Sequence, residues 1–241
     1  MKKESLLRRQ KQAVCTLTEE IIGCKRCQRL VTWRRLISKK KTARYMTGKY
    51  WGKGVPGFGD QDARLLVVGL APAAHGGNRT GRMFTGDRSG EWLYGALHKF
   101  GFADRPRSVS RDDGLRLSDC YITAVARCAP PANKLLRCEI DNCRDYLTEE
   151  LRLLKNLRVI IALGKVAFDE IVKCLKVMSV NTGRVKPVFK HGSSYRMSNG
   201  MLLLVSFHPS QQNTFTGKLT RRMFNHVFRQ AMAAPGRRYR V

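Results

Sequence analysis

Leu65-Leu66-Val67-Val68 is an unbroken apolar run, and Gly69-Leu70-Ala71-Pro72-Ala73-Ala74-His75-Gly76-Gly77 follows it directly. A strand covered on both faces carries no polar alternation, so this run predicts a buried parallel strand. Glycine, proline and small residues then crowd its carboxyl end, which is where open α/β sheets bind their ligands. The loop continues through Met83-Phe84-Thr85-Gly86-Asp87-Arg88-Ser89-Gly90, and apolar residues from Trp92 to Phe100 recur at helical spacing. A strand, a long glycine-rich loop and a helix in that order point to a binding pocket.

The rest of the chain repeats the alternation. Strands are expected over residues 64–70, 120–127, 159–163 and 202–207, and helices over 90–100, 139–154, 165–174 and 219–233. This order predicts an α/β fold: a three-layer sandwich with a central, mostly parallel four-stranded sheet flanked by helices. Residues 105–117 and 186–200 are expected to be surface connections, the second a hairpin into the last strand. Residues 1–60 are expected to form a basic N-terminal extension, helical at first and irregular after residue 39, and 61–241 a single globular unit.

Charge narrows the partners. Lys and Arg number 46 against 18 Asp and Glu, a net charge of +28. Such a surplus raises a field that favours polyanions, and nucleic acid is the expected partner. No apolar run approaches the roughly 18–20 residues needed to cross a bilayer. No apolar segment follows the charged start either, so an intracellular, cytoplasmic location is expected. In that compartment the eight cysteines are expected to be thiols or ligands rather than disulfides.

Cys24 and Cys27 form a C-x-x-C pair, and Cys128 and Cys143 flank a proline-containing loop much later. Four thiolates from two distant segments suit either zinc or a [4Fe–4S] cluster, and spacing does not separate the two. Cys138 could compete as a ligand, whereas Cys15, Cys120 and Cys174 sit among apolar residues and read as small buried hydrophobes. The second strand ends in Cys128-Ala129-Pro130-Pro131-Ala132-Asn133, the fourth in His208-Pro209-Ser210. In a parallel sheet the loops after strands one, two and four meet on one rim. His208, Asn133 and Asp87 would then share a site, although Asp87 is equally placed to cap the following helix.

Together these motifs resemble the uracil-DNA glycosylase superfamily, and within it the family 5 branch. The likeness runs through residues 69–90, 121–133 and 208–220, with matching cysteines at 24, 27, 128 and 143. The basic N-terminus and residues 105–117 lie outside it. The resemblance implies a [4Fe–4S] cluster on Cys24, Cys27, Cys128 and Cys143. It also implies a base flipped out of DNA, duplex or single-stranded, into a pocket in a monomeric enzyme. Phe84 corresponds to the aromatic that stacks on that base, and His208 to the residue that hydrogen-bonds its O2 as negative charge develops. Ala73, Ala74, His75, Ala124 and Ser210 are the remaining expected substrate-binding positions. Ala73 or Ala74 stands where several relatives carry a water-activating Asp or Asn, which leaves Asp87 and Asn133 to position water. Ala124 stands where strictly uracil-specific relatives often have Asn, so hypoxanthine and other deaminated bases are expected substrates as well. A non-catalytic iron–sulfur protein that binds nucleic acid is the alternative, and an electron carrier is a more distant one.

Overall fold

The structure, a computed structural model, describes residues 2–183 and 185–234. Four strands form its centre: β2 (Leu65–Gly69), β3 (Cys120–Ala124), β4 (Val159–Leu163) and β6 (Leu202–Ser206). They run parallel in the order β3-β2-β4-β6. Two short strands widen the sheet to six: β1 (Phe58–Gly59) lies antiparallel on β3, and β5 (Ser194–Arg196) antiparallel on β6. The fold is therefore the expected α/β sandwich with a mixed, mostly parallel sheet. β5 falls in the segment read as a hairpin. β1 is two half-buried residues in a glycine-rich stretch, too short to show any periodicity.

Alternation along each strand assigns the layers. Leu65, Val67, Ile122, Ile161 and Leu204 face one side, against α4 (Arg88–Lys99) and α8 (Arg221–Ala233). There Trp92, Leu97, Phe224 and Phe228 complete the core. Leu66, Val68, Tyr121, Ile160 and Leu203 face the other side, against α5 (Arg137–Leu153) and α6 (Lys165–Val177). All four helices lie within two residues of their expected starts, and α6 runs three residues further than expected. β3 stops at Ala124 rather than residue 127. Beyond it Val125 N–H and Ala126 N–H bond the carbonyls of Gly69 and Leu70, which ties this exit to the loop after β2.

The first sixty residues contribute to the core. In α1 (Lys2–Gly23), Val14, Leu17 and Ile21 make a buried stripe, and Leu17 and Ile21 pack on Cys143 and Tyr146 of α5. Leu30 and Val31 of α2 (Gln28–Lys40) are buried, and Val55 joins the main core. Cys15 was expected inside but is exposed, because it lies one residue, about 100° of helix, off the stripe. Cys120 and Cys174 are buried as expected. Ile21 is 1% exposed, so Ile21→Ala should cost about 2–5 kcal/mol in chemical denaturation. A loss within a few tenths of a kcal/mol would mean that α1 is dispensable to the core.

Candidate active site

A cleft of about 830 Å³ opens at the carboxyl ends of the parallel strands. Ala71, Pro72, Ala73, Phe84 and Asp87 line it from the loop after β2, and Pro130, Ala132 and Asn133 from the loop after β3. His208 and Ser210 come from the loop after β6. The fourth parallel strand also contributes, through Gly164, Lys165 and Ala167 after β4. Three convergent loops were expected and four are present.

Phe84 is held under strain. Its φ of 54° lies in the left-handed region, which costs a residue with a side chain roughly 1–2 kcal/mol. The neighbouring glycines leave no alternative room. A Cβ on Gly69 would stand 2.5 Å from the Phe84 ring, and one on Gly90 1.7 Å from the Phe84 carbonyl oxygen. Buried bonds brace the loop on both sides of Phe84. Tyr94 Oη donates to the Met83 carbonyl at 3.0 Å, the Thr85 and Ser108 hydroxyls pair at 2.7 Å, and Arg82 Nη1 donates to Asp113 at 2.6 Å. Arg82 also bonds the Arg111 carbonyl, and Asp113 accepts from Val109 N–H at 2.8 Å and Leu115 N–H at 3.0 Å. The segment 105–117, which reads as a surface connection, is thus a strut under the cleft loop.

His208 stacks on Phe84 with ring centroids 6.0 Å apart and planes inclined at 29°. Its backbone is fixed from both sides. Asn213 Nδ2 donates to the His208 carbonyl at 2.8 Å, and Phe207 N–H donates to His191 Nδ1 at 3.1 Å. Burial of the ring lowers its pKa to about 4, so at neutral pH the imidazole is uncharged. Asp87 caps α4, its Oδ1 accepting from Gly90 N–H at 2.8 Å. Burial raises its pKa, partly opposed by the N–H groups of Gly90 and Ser89. Asn133 and Ala132 both adopt positive φ, 57° and 50°, and the Asn133 amide makes no hydrogen bond among the described residues. Asn tolerates that conformation well and Ala poorly, so the turn that presents Asn133 is strained.

Ser210 lines the cleft and caps α7 (Gln211–Phe215), accepting from Asn213 N–H at 3.3 Å. Ala74, His75 and Ala124 do not line it. His75 turns away to the Tyr50 hydroxyl at 3.0 Å, and Ala124 is buried in the core at the end of β3. Arg88, Lys165, Phe189, Phe207 and Lys218 also line the cleft, although no role is expected of them from the sequence. Phe215, at the end of α7, is 66% exposed with the Arg88 guanidinium 4.3 Å from its ring centroid.

The cysteines come from three places: Cys24 and Cys27 between α1 and α2, Cys128 after β3, and Cys143 on α5. Among the described residues no three Cys, His, Asp or Glu side chains stand close enough together to hold a metal ion. Three of the four thiols, Cys27, Cys128 and Cys143, still feel others of the set. Burial pushes Cys128 up to about 12, with Arg34 opposing and Cys143 and Cys24 adding to the rise. Burial also raises Cys143, against the Arg127 backbone, with Cys27 and Cys24 adding. N–H donors reach two of the sulfurs, Arg34 Nη1 at 2.8 Å from Cys128 and Asn142 Nδ2 at 3.5 Å from Cys27.

The strut gives a direct test. Asp113→Ala leaves Arg82 buried without its partner, a change that typically costs about 3–5 kcal/mol. Burial works to raise the Asp113 pKa. The N–H of Leu115, the Arg82 guanidinium and the N–H groups of Val109 and Ser110 outweigh it and bring the value to about 2. A carboxylate shifted down stabilises the fold above its unfolded pKa of about 3.9 and loses that contribution as pH falls toward 2. The wild type should therefore lose Tm between those values more steeply than Asp113→Asn, followed by thermal unfolding.

A family model described as the uracil DNA glycosylase superfamily matches residues 56–231 of the chain. A type-5 uracil-DNA glycosylase of Mycobacterium tuberculosis is 45% identical over 225 residues, 93% of this chain and 82% of that protein. One from Thermus thermophilus is 44% identical over 220 residues, 90% of this chain and 96% of that protein. A type-4 uracil-DNA glycosylase of Pyrobaculum aerophilum is 30% identical over 164 residues, 67% of this chain and 74% of that protein. With strand-end loops that gather His208, Asp87 and Asn133 in one cleft, the chain belongs to the uracil-DNA glycosylase superfamily and to its type-5 family.

Proposed function

We propose that this protein is a monofunctional DNA glycosylase that removes uracil from DNA in repair and leaves an abasic site. The observation that carries the reading is the stacked, uncharged His208 facing Phe84 in a cleft shared with Asp87 and Asn133. A base within a duplex is unreachable, so the nucleotide is rotated out into the cleft. The loop of α7, with Phe215 exposed on it, enters the minor groove as the base leaves.

Phe84 takes one face of the base. As the bond between C1′ and the base nitrogen breaks, the electron pair moves onto the base and the sugar becomes cationic. A neutral His208 donates a hydrogen bond to the base O2, where that charge collects, without proton transfer to it. Water adds at C1′, and the proton it releases passes through solvent to the departed base anion, which leaves as the neutral base. Asn133, whose amide makes no hydrogen bond among the described residues, and Asp87, which spends one oxygen on its helix cap, position that water. No residue presents a bulky side chain from Ala73, and Ala124 lies in the core, so the pocket lacks a bidentate reader of the base edge at these positions. We extend the reading to hypoxanthine and other deaminated bases on that ground. No helix among the described residues is long and apolar enough to cross a membrane.

Cys24, Cys27, Cys128 and Cys143 would hold a [4Fe–4S] cluster. Four free thiols, with burial raising Cys27, Cys128 and Cys143 and N–H donors on the sulfurs of Cys27 and Cys128, fit a cationic centre that deprotonates them together. When bound, the cluster would tie α1, the β3 exit and α5 into one unit and supply no step of the reaction. Cys143→Ser should abolish bound iron and visible absorption in anaerobically purified protein and lower Tm. Stoichiometric zinc, or metal-free wild type of unchanged Tm, would sink the cluster.

Labelled duplexes carrying one uracil or hypoxanthine, treated with alkali after incubation, test the reaction. Wild type should cleave, and His208→Ala should lose about 10²–10³-fold in kcat, the usual effect of removing one such donor. Because the lowered His208 pKa keeps the ring neutral down to about pH 4, the wild-type rate should show no His208 step near pH 6.5. Failure on every base, with DNA binding intact, would favour the non-catalytic alternative.

A further inference from the structure

Beside the cleft lies a second constellation that the reaction does not use. The Tyr45 ring carries the Arg79 guanidinium at 4.1 Å and the Arg44 guanidinium at 5.4 Å from its centroid. The Trp51 ring carries the Arg111 guanidinium at 4.5 Å and the Lys53 ammonium at 5.4 Å. The two rings belong to one strap. Trp51 N–H and Gly52 N–H bond the carbonyls of Arg79 and Asn78 at 2.9 and 3.0 Å, which fixes the strap on α3 (Gly77–Thr80). Trp51 Nε1 donates to the Gly54 carbonyl at 2.9 Å.

The patch is continuous with the cleft. Arg79 Nε donates to the His75 carbonyl at 2.8 Å, and a Cβ on Gly86 would stand 2.1 Å from its Nη2. Arg79 therefore lies against the residue preceding Asp87, on the outer side of the loop that carries Phe84. Arg44, Lys53, Arg79 and Arg111 make no ion pair with a carboxylate among the described residues. On the far side of the sheet the opposite holds: Arg137, Arg144 and Lys173 are all spent on Asp141 or Glu170. Asp87 acts on Arg79, but the other three cations held on these aromatic faces repel one another, and an external polyanion would relieve that repulsion. Rings interleaved with basic side chains are also what a nucleic-acid strand packs against.

We propose that this aromatic–cation patch is a second DNA-contacting surface, which takes the phosphates of the strand as it leaves the cleft. The inference rests on DNA being the substrate and adds where, outside the pocket, the backbone is held. The flipped nucleotide is drawn into the cleft, and the patch anchors the neighbouring phosphates so that rotation does not drag the rest of the strand. Arg79 positions the two rings, while Arg44, Lys53 and Arg111 are the outward contacts.

The test is the salt dependence of binding to undamaged duplex DNA. Each phosphate contact contributes about 0.9 to the slope of log K against log salt, so Arg44→Gln/Lys53→Gln/Arg111→Gln should flatten it by about 2.7. A control triple on the far side, Arg137→Gln/Arg152→Gln/Lys173→Gln, removes the same net charge and should keep the wild-type slope. Lys53→Gln alone should flatten it by about 0.9 and serves if the triple does not fold. An unchanged slope in the patch triple, or equal flattening in both triples, overturns the surface. Uracil release by wild type is measured beside it. Normal release with an unchanged slope removes the surface and leaves the glycosylase, and no release with a flattened slope does the reverse.

Discussion

Burial of both faces of four parallel strands is the constraint from which the site follows. Leu66, Val67, Val68, Ile160, Ile161 and Leu203 are each fully buried, and burying such a side chain is worth about 1.5–3 kcal/mol. That gain needs helices on both sides, and helices on both sides need parallel connections. All four carboxyl ends then lie on one edge. The loops after Gly69, Ala124, Leu163 and Ser206 have no other place to go, and backbone bonds seal their starts, as from Gly164 N–H to the Ser206 carbonyl at 2.8 Å. Asp87, Asn133 and His208 meet because the core dictates where their loops begin.

The acidic residues explain the charge of the surface. Only 18 are present, and several are committed to the fold rather than to solvent. Glu150 is 4% exposed beside Arg127 at 1%, bonded at 2.6 Å and shared with the Thr123 hydroxyl at 2.7 Å. Asp113 anchors the strut, Asp119 holds Arg64, and Glu139 accepts two bonds from Arg29. A buried pair of this kind gains little over an apolar pair but makes loss of either member expensive. Glu150 therefore fixes Arg127 and the β3 exit just before Cys128. With many of its acids drawn inward or onto α5 and α6, the protein leaves Arg88 and Lys218 at the cleft without an ion pair among the described residues, whereas Lys165 pairs with Asp169 at 2.7 Å. A polyanionic substrate supplies the missing countercharge.

What the sequence made legible follows apolar pattern. The parallel strands could be placed because they are unbroken apolar runs, and their helices because apolar residues recur every 3.6 residues. β1 could not, at two residues among glycines. In α1 the stripe of Val14, Leu17 and Ile21 is diluted by Lys, Arg and Gln, so the segment reads as a helical part of a basic extension and its packing on the core does not show. The cleft was partly legible. Phe84, Asp87, Asn133 and His208 announce themselves in the loops that leave strand ends, whereas Lys165 and Phe189 reach it from segments without any motif. His75 shows the limit in the other direction. It sits inside the most conspicuous motif, yet its ring bonds Tyr50, since proximity along a loop does not set where a side chain points. Asp113 is one acid in a polar segment, and nothing in its neighbours reveals that it is buried against Arg82.

The site is also where the protein departs from its own local preferences. An aromatic residue at φ 54° and an alanine at φ 50° are unfavourable, as is a histidine whose burial keeps it neutral below the usual range. Strained residues of this kind cost about 1–3 kcal/mol each and persist only where the surroundings overdetermine them. Around Phe84 the surroundings do so. The Arg82–Asp113 pair, the Thr85–Ser108 hydroxyls and Tyr94 hold the backbone on either side, and breaking one buried pair costs about 3–5 kcal/mol. The brace outweighs the strain, so the ring stays against His208. In the proposed reaction an aromatic wall set in advance would not have to be ordered when the base arrives, and that difference would be available to lower the barrier.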